Sequence, residues 1–146
     1  VARWDHAPGR TRWIVKPQTF MNGSGRSVGA MARFHKIVPE AIAAVYDDLT
    51  IDLGLLKVTV TGSAGGHNGV ESLLEHVGDG FVRYRIGTGP KQPPQMELTD
   101  FVLGKFTPEQ QTLLIQKIDH YVAGLELLLA RGTEAAMNQL NRRDPK

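Results

Sequence analysis

The sequence predicts an α/β domain with helices on both faces of a sheet. Short apolar runs of strand length alternate with stretches whose apolar residues recur at helical spacing. Clusters of glycine and proline separate the two kinds of segment, and at least one strand-like run is continuously apolar. A chain of 146 residues has room for one core, so a single domain over residues 1–146 is expected.

Val1 to Arg12, with Pro8-Gly9, reads as an irregular, turn-rich lead-in. Trp13-Ile14-Val15 is a short strand stopped by Pro17. From Ser24, a plausible cap, Val28, Met31, Ala32 and His35 fall at helical spacing, predicting a helix to about Lys36. Pro39 opens a brief turn. Ile42 to Tyr46 is a continuous apolar run that predicts a buried strand ending at Asp47-Asp48. Lys57 to Thr61 alternates polar with apolar, as a strand with one exposed face does. It runs into a glycine-rich loop, Gly62 to Gly69. Val70, Leu73, Leu74 and Val77 then form one stripe of an amphipathic helix. Phe81 to Ile86 alternates again and predicts a third strand, followed by a loop with Pro90, Pro93 and Pro94. Thr107-Pro108-Glu109-Gln110 supplies a cap hydroxyl, a proline in the first turn and a capping-box glutamine. The apolar face behind it is Leu114, Ile118, Tyr121, Val122, Leu125, Leu128 and Leu129, and Gly132 ends the helix. A short helix around Glu134 to Leu140 leads to Arg142-Arg143.

Composition narrows the function. Hydrophobic residues make up 41% and charged residues 22%, ordinary for a soluble globular chain. No apolar run approaches the ~18 residues that cross a bilayer, and no leader-like segment opens the chain, so a cytoplasmic protein with no membrane partner is expected. Without cysteine there is no disulfide or thiolate chemistry. His6, His35, His76 and His120 lack metal-ligand spacing, so a zinc site is not expected. The net charge of +2 is unevenly spread. Residues 1–36 carry seven basic side chains against the single Asp5, a balance of +6, while the other 110 residues hold ten basic and fourteen acidic, or −4. A basic segment on a nearly neutral body suits an anionic partner such as nucleic acid, or is plain solvated surface.

Three loops after predicted strands can carry chemistry. Lys16 to Gly25 places Phe20, Met21 and Asn22 on a glycine-flanked turn into a helix. There an exposed ring could stack on a base and backbone amides could hold an anion; alternatively Phe20 and Met21 are core. Asp47 and Asp48 point to opposite faces of an extended chain, so at most one belongs to any site, and solvated turn acids are the plainer reading. Gly65-Gly66-His67-Asn68-Gly69 is neither a Walker loop nor a dinucleotide fingerprint. His67 there is a catalytic candidate or a structural hydrogen-bonder.

Taken together, five segments in register closely resemble the bacterial-type peptidyl-tRNA hydrolase family. They are Lys16 to Asn22 with Ser24-Gly25, Tyr46-Asp47-Asp48-Leu49, Gly65 to Gly69, Arg83-Tyr84-Arg85-Ile86-Gly87 and Phe101 to Phe106. The resemblance covers the chain after about residue 12. It implies a three-layer α/β/α domain with a central mixed sheet, and a monomer that hydrolyses the ester joining a peptide to tRNA without cofactor. It implies that Asp47 orients a catalytic histidine, that Phe20, Asn22 and Asn68 contact the acylated tRNA end, and that Met21 and His67 line the cleft. Lys57 and Arg85 match positions associated with the tRNA body, and Lys105 is expected to join them in holding phosphates. The family's first strand, its Gly-Asn-Pro-Gly turn and its Thr-Arg-His-Asn run have no counterpart here. The histidine that Asp47 would orient is therefore missing from these residues, and the resemblance implies an N-terminally incomplete enzyme with little or no activity. A non-catalytic RNA-binding relative is the alternative.

Overall fold

The strongest local signal in the chain forms as expected. The Thr107 hydroxyl accepts from the Gln110 amide, and the Gln110 side chain accepts from the Thr107 amide, at 3.2 and 2.8 Å. This box starts the longest helix, Pro108–Arg131. The computed structural model describes residues 2–7, 10–89 and 106–141. Among them are five strands and four α-helices, labelled in chain order: β1 (Ala2–Ala7), β2 (Arg10–Ile14), α1 (Ser24–His35), β3 (Ala43–Asp52), β4 (Leu56–Thr59), α2 (Asn68–His76), β5 (Val82–Gly89), α3 (Pro108–Arg131) and α4 (Thr133–Leu140). Single 3-10 turns cover Met21–Gly23 and Pro39–Ala41. None of the described helices is long and apolar enough to cross a membrane. The loop with Pro90, Pro93 and Pro94, Lys105 and the Arg142-Arg143 tail lie outside the described residues.

The contacts divide into two compact units, each drawn from separated stretches of sequence. The first is Val1–Ile42 with Gly62–Gly80, the second Ala43–Thr61 with Phe81–Lys146.

In the second unit a mixed sheet has the order β3-β5-β4, with β3 parallel and β4 antiparallel to β5. Residues opposite one another share a face. One face of β4 and β5 presents Leu56, Val58, Val82 and Tyr84. These form a core with Tyr121 and Leu128 of α3 and Ala136 of α4. Asn141 closes the outer edge of β4: its side chain accepts from the Val58 amide at 2.7 Å and donates to the Val58 carbonyl at 2.8 Å. That leaves this edge with two fewer unpaired backbone groups.

Three expectations are corrected here. The lead-in over residues 1–12 is not irregular: β1 and β2 pair as an antiparallel hairpin, Arg3 opposite Trp13 and Asp5 opposite Thr11. Backbone pairing between the two segments outweighs the weak apolar pattern. The run at Ile42 to Tyr46 is not a buried strand. β3 continues through both aspartates to Asp52 and pairs only with β5 among the described residues, leaving Val45 50% exposed. The burial expected there belongs to β5, the central strand, where even Arg83 is only 3% exposed. On α3 the apolar face is narrower than expected. Ile118 and Val122 lie about 60–100° around the helix from the Tyr121–Leu128 line and remain half exposed.

The first unit is built on a close helix crossing. α1 begins at Ser24 with Gly23 as its cap residue, so Ser24 is not the cap; its hydroxyl instead donates back to the Met21 carbonyl at 2.8 Å. Gly25 is buried against α2, its amide donating to the Ser72 hydroxyl at 2.9 Å. A Cβ at this position would stand 2.0 Å from the Ser72 carbonyl oxygen. α1 ends at His35, and Lys36 turns the chain with φ of 56°.

Candidate functional site

Two clusters of the expected site residues are assembled, one in each unit. In the first unit, the 3-10 turn Met21–Gly23 packs against the start of α2. The approach is tight at Gly69, where a Cβ would lie 2.7 Å from the Met21 sulfur and 3.0 Å from the His67 ring. Glycine here leaves room for the Met21 side chain to lie against the start of α2. Phe20, just before the turn, is 90% exposed, and Met21 and Asn22 are also exposed. Reading Phe20 and Met21 as core is thereby excluded. The structure thus brings the turn that carries Met21 and Asn22 against the start of α2, which His67 caps and Asn68 opens, with the exposed Phe20 one residue before the turn.

His67 has a defined task in that junction. It is the N-cap of α2, and its Nδ1 accepts from the amides of Gly69 and Val70 at 3.1 and 3.3 Å. A nitrogen that accepts twice carries no proton, so in the neutral ring the hydrogen sits on Nε2. That tautomer makes Nε2 a donor rather than a base. The imidazole is therefore equipped to offer a hydrogen bond to an oxygen and to fix the backbone that carries Asn68. Gly65 and Gly66 precede it with φ of 58° and 85°, conformations that keep side chains out of the approach.

In the second unit the two aspartates separate onto opposite sheet faces, as the strand geometry requires. Asp48 is fully engaged. Its Oδ1 accepts from the Thr50 amide and hydroxyl at 2.8 and 2.6 Å, and its Oδ2 from Arg85 Nε at 2.8 Å. Burial pushes the Asp48 carboxyl up, but Thr50 and Arg85 outweigh it and hold the pKa below its ordinary value of 3.8. Asp47, half-buried, is paired in register with Ile86 on the other face. Lys57 is exposed on β4 directly opposite Arg85, so two cations stand side by side on the Asp48 face. The same face carries Tyr46 and Arg83. Tyr46 is hydrogen-bonded to Arg83, and burial raises its pKa against the lowering pull of Arg83 and Arg85. Lys105, expected to extend this cationic row, lies outside the described residues.

Sequence reasoning missed the Asp48–Thr50–Arg85 network. The only signal for it was a threonine two residues after an aspartate, a common local hydrogen-bonding pattern. Of the two readings open for His67, the structure shows the structural hydrogen-bonder, in the particular form of an N-cap, a role histidine seldom fills. Among the described residues no three of His, Cys, Asp or Glu are grouped so as to hold a metal ion.

Comparison with known proteins gives a consistent picture. The sequence model of the peptidyl-tRNA hydrolase family matches residues 2–146. A peptidyl-tRNA hydrolase of Gloeobacter violaceus is 44% identical over 137 residues, which span 93% of this chain and 69% of that protein. One of Lachnoclostridium phytofermentans is 39% identical over 132 residues, covering 90% of this chain and 69% of the relative. The crystal structure of the peptidyl-tRNA hydrolase of Acinetobacter baumannii superposes with a TM-score of 0.85 at 35% identity, over 99% of this chain and 72% of that one.

Proposed function

The chain belongs to the peptidyl-tRNA hydrolase family, and we propose that it serves hydrolysis of the ester between a peptide and tRNA. The observation that carries this reading is the junction of the Phe20–Asn22 turn with His67-Asn68-Gly69. Ester hydrolysis needs donors for a developing oxyanion, a held acyl group and an activated water. Asn22 and Asn68 are neutral amides that hold a carbonyl or a water without competing for a proton. His67 adds an N–H donor, and the exposed Phe20 ring is a surface for the terminal base or the attached peptide. Asp47 is the carboxylate that orients the general-base histidine. Lys57 and Arg85, extended by Lys105, hold phosphates of the tRNA body. The substrate is peptidyl-tRNA, the enzyme is monomeric and cytoplasmic, and the reaction uses neither metal nor cofactor.

No histidine in these 146 residues matches the position that Asp47 would orient. The tautomer of His67 does not qualify it as the base. The test compares acylated with deacylated tRNA. N-acyl-aminoacyl-tRNA is expected to bind more tightly than deacylated tRNA, and Asn68→Ala is expected to abolish that preference. If acylated and deacylated tRNA bind alike, the junction does not read the acyl group and the proposal fails.

A further inference from the structure

Arg85 and Lys57 stand opposite one another on β5 and β4, but they are held differently. Lys57 is exposed and makes no hydrogen bond or ion pair among the described residues. Arg85 is fixed along one edge of its guanidinium: Nε donates to Asp48 Oδ2 at 2.8 Å, and Nη2 lies 3.5 Å from Thr50 Oγ1. Asp48 is braced in turn, its Oδ1 accepting from the Thr50 amide and hydroxyl at 2.8 and 2.6 Å. The Thr50 hydroxyl therefore gives its single hydrogen to Asp48 and faces Arg85 with a lone pair. The Nε–Nη2 edge of the guanidinium is thereby occupied, while the Nη1–Nη2 edge meets no acceptor among the described residues. That second edge carries two parallel N–H groups, the geometry that grips two oxygens of a phosphate. The Arg85 side chain is 22% exposed and that of Asp48 15%, so the pair is shielded from bulk water without being sealed from a ligand.

Charge alone does not account for Asp48. A carboxylate beside a phosphate-binding cation weakens the attraction. This one stays ionised in all but strong acid: burial raises its pKa, but Thr50 and Arg85 outweigh that and hold it below 3.8. Order is what the carboxylate supplies. A loose arginine samples several rotamers, and binding must select one of them. Fixing the side chain beforehand removes that entropy loss from the binding step.

We infer that Asp48, braced by Thr50, is a positioning residue for tRNA binding, setting the Arg85 fork so that its Nη1–Nη2 edge takes a backbone phosphate through two hydrogen bonds. The inference rests on the proposed role of Arg85 as a phosphate contact and adds the carboxylate through which that arginine acts. Asparagine cannot replace Asp48 here. It offers one oxygen and one amide where Thr50 and Arg85 both present donors, so in either orientation one N–H faces another. Two contributions then differ in sign. Loss of the negative charge strengthens attraction to phosphate, and loss of the fixed fork weakens it.

Fluorescence anisotropy with deacylated tRNA, between about 50 and 200 mM salt, reads that sign. One phosphate contact contributes a slope of about −0.9 in log affinity against log salt, or about three- to fourfold over this range. Asp48→Asn is expected to weaken binding at low salt by about three- to fourfold and to flatten the slope by up to about one unit. Thr50→Val leaves the net charge unchanged and is expected to shift both in the same direction by less. In an Arg85→Ala background neither substitution is expected to weaken binding further. Circular dichroism identifies any variant unfolded at the assay temperature; should Asp48→Asn be one, Thr50→Val in both backgrounds decides. Tighter or unchanged binding by Asp48→Asn overturns the inference and leaves the carboxylate a sheet-stabilising ion pair. An equal loss in the Arg85→Ala background overturns it too, since the effect then bypasses the arginine. If Arg85→Ala itself binds as wild type does, with the same slope, the phosphate role of Arg85 fails and this inference with it. A loss in Arg85→Ala with none in Asp48→Asn sinks the inference alone.

Discussion

Replacing Gly25 with alanine adds one methyl group at the point where α1 and α2 cross. The new Cβ would stand 2.0 Å from the Ser72 carbonyl oxygen, 2.3 Å from its carbonyl carbon and 2.8 Å from the Leu73 amide nitrogen. All three are backbone atoms of α2, so no side-chain rotation relieves the overlap. Ordinary contact begins near 3.4 Å, and the two helices must move apart by more than an ångström. Overpacking of this kind costs about 1–3 kcal/mol. The same movement breaks the 2.9 Å bond from the Gly25 amide to Ser72 Oγ and strands a buried donor, which adds about 1–3 kcal/mol. The better helix propensity of alanine returns about 1 kcal/mol. A net loss of about 1–5 kcal/mol follows, or roughly 2–20 °C in melting temperature. Circular dichroism melts and urea titrations read it, with Ser72→Ala as the partial case that strands the Gly25 amide without the clash, costing about 1–3 kcal/mol. α1 also carries the Phe20–Asn22 turn at its start, so the variant should weaken binding of N-acyl-aminoacyl-tRNA as it weakens the fold. An alanine variant as stable as wild type would refute the reasoning. So would a Ser72→Ala loss equal to that of Gly25→Ala.

The Asp48 carboxyl titrates below its ordinary value in the folded chain, so the unfolded chain takes up that proton first. Its stabilising effect is full above pH 3.8 and is lost as pH falls through the lower folded value. The stability gap between wild type and Asp48→Asn, read from urea midpoints, should therefore shrink between pH 7 and pH 3. Tyr84 shows the opposite limb. Burial first, and Tyr121 second, push its phenol up to about 12, so the neutral form stabilises the fold and that contribution disappears as pH rises from 10 towards 12. Tyr84→Phe should flatten this alkaline loss. At neutral pH it should cost about 1–2 kcal/mol, because the 2.6 Å bond from its hydroxyl to the Tyr121 carbonyl goes. His67→Ala should remove the cap of α2 at a cost of about 1 kcal/mol, whereas His67→Asn, a good cap residue, should restore stability. Recovery of acylated-tRNA binding in His67→Asn would assign the residue a positioning role; continued loss would assign it a direct hydrogen bond. Arg85→Ala should weaken tRNA binding and flatten its salt dependence by up to about one unit, and an unchanged slope would confine this arginine to its bond with Asp48.

The α/β class, the α3 capping box, the α2 stripe and the amphipathic pattern of β4 were legible in the sequence. Each depends on residues within a few positions of one another, and local hydrogen bonding and side-chain periodicity follow from composition at that range. The alternation of a strand likewise decided that Asp47 and Asp48 could not act as a pair, and the structure places them on opposite faces. The motif residues Phe20, Met21, Asn22, His67 and Asn68 were nameable before any coordinates. Their meeting was not, because it turns on Gly69 admitting the Met21 sulfur across more than forty residues of chain.

Only the tertiary structure decided which apolar run was covered. Ile42 to Tyr46 looks more buried than Phe81 to Ile86, yet β5 is central and β3 is not, since strand order is set by long-range pairing rather than by hydropathy. Tertiary structure likewise turned Arg85 from a surface cation into the partner of Asp48, and His67 from a candidate base into a cap. Residue type limits what a side chain can do. Which donors and acceptors lie within 3 Å of it decides what it does, and those neighbours are brought in by folding.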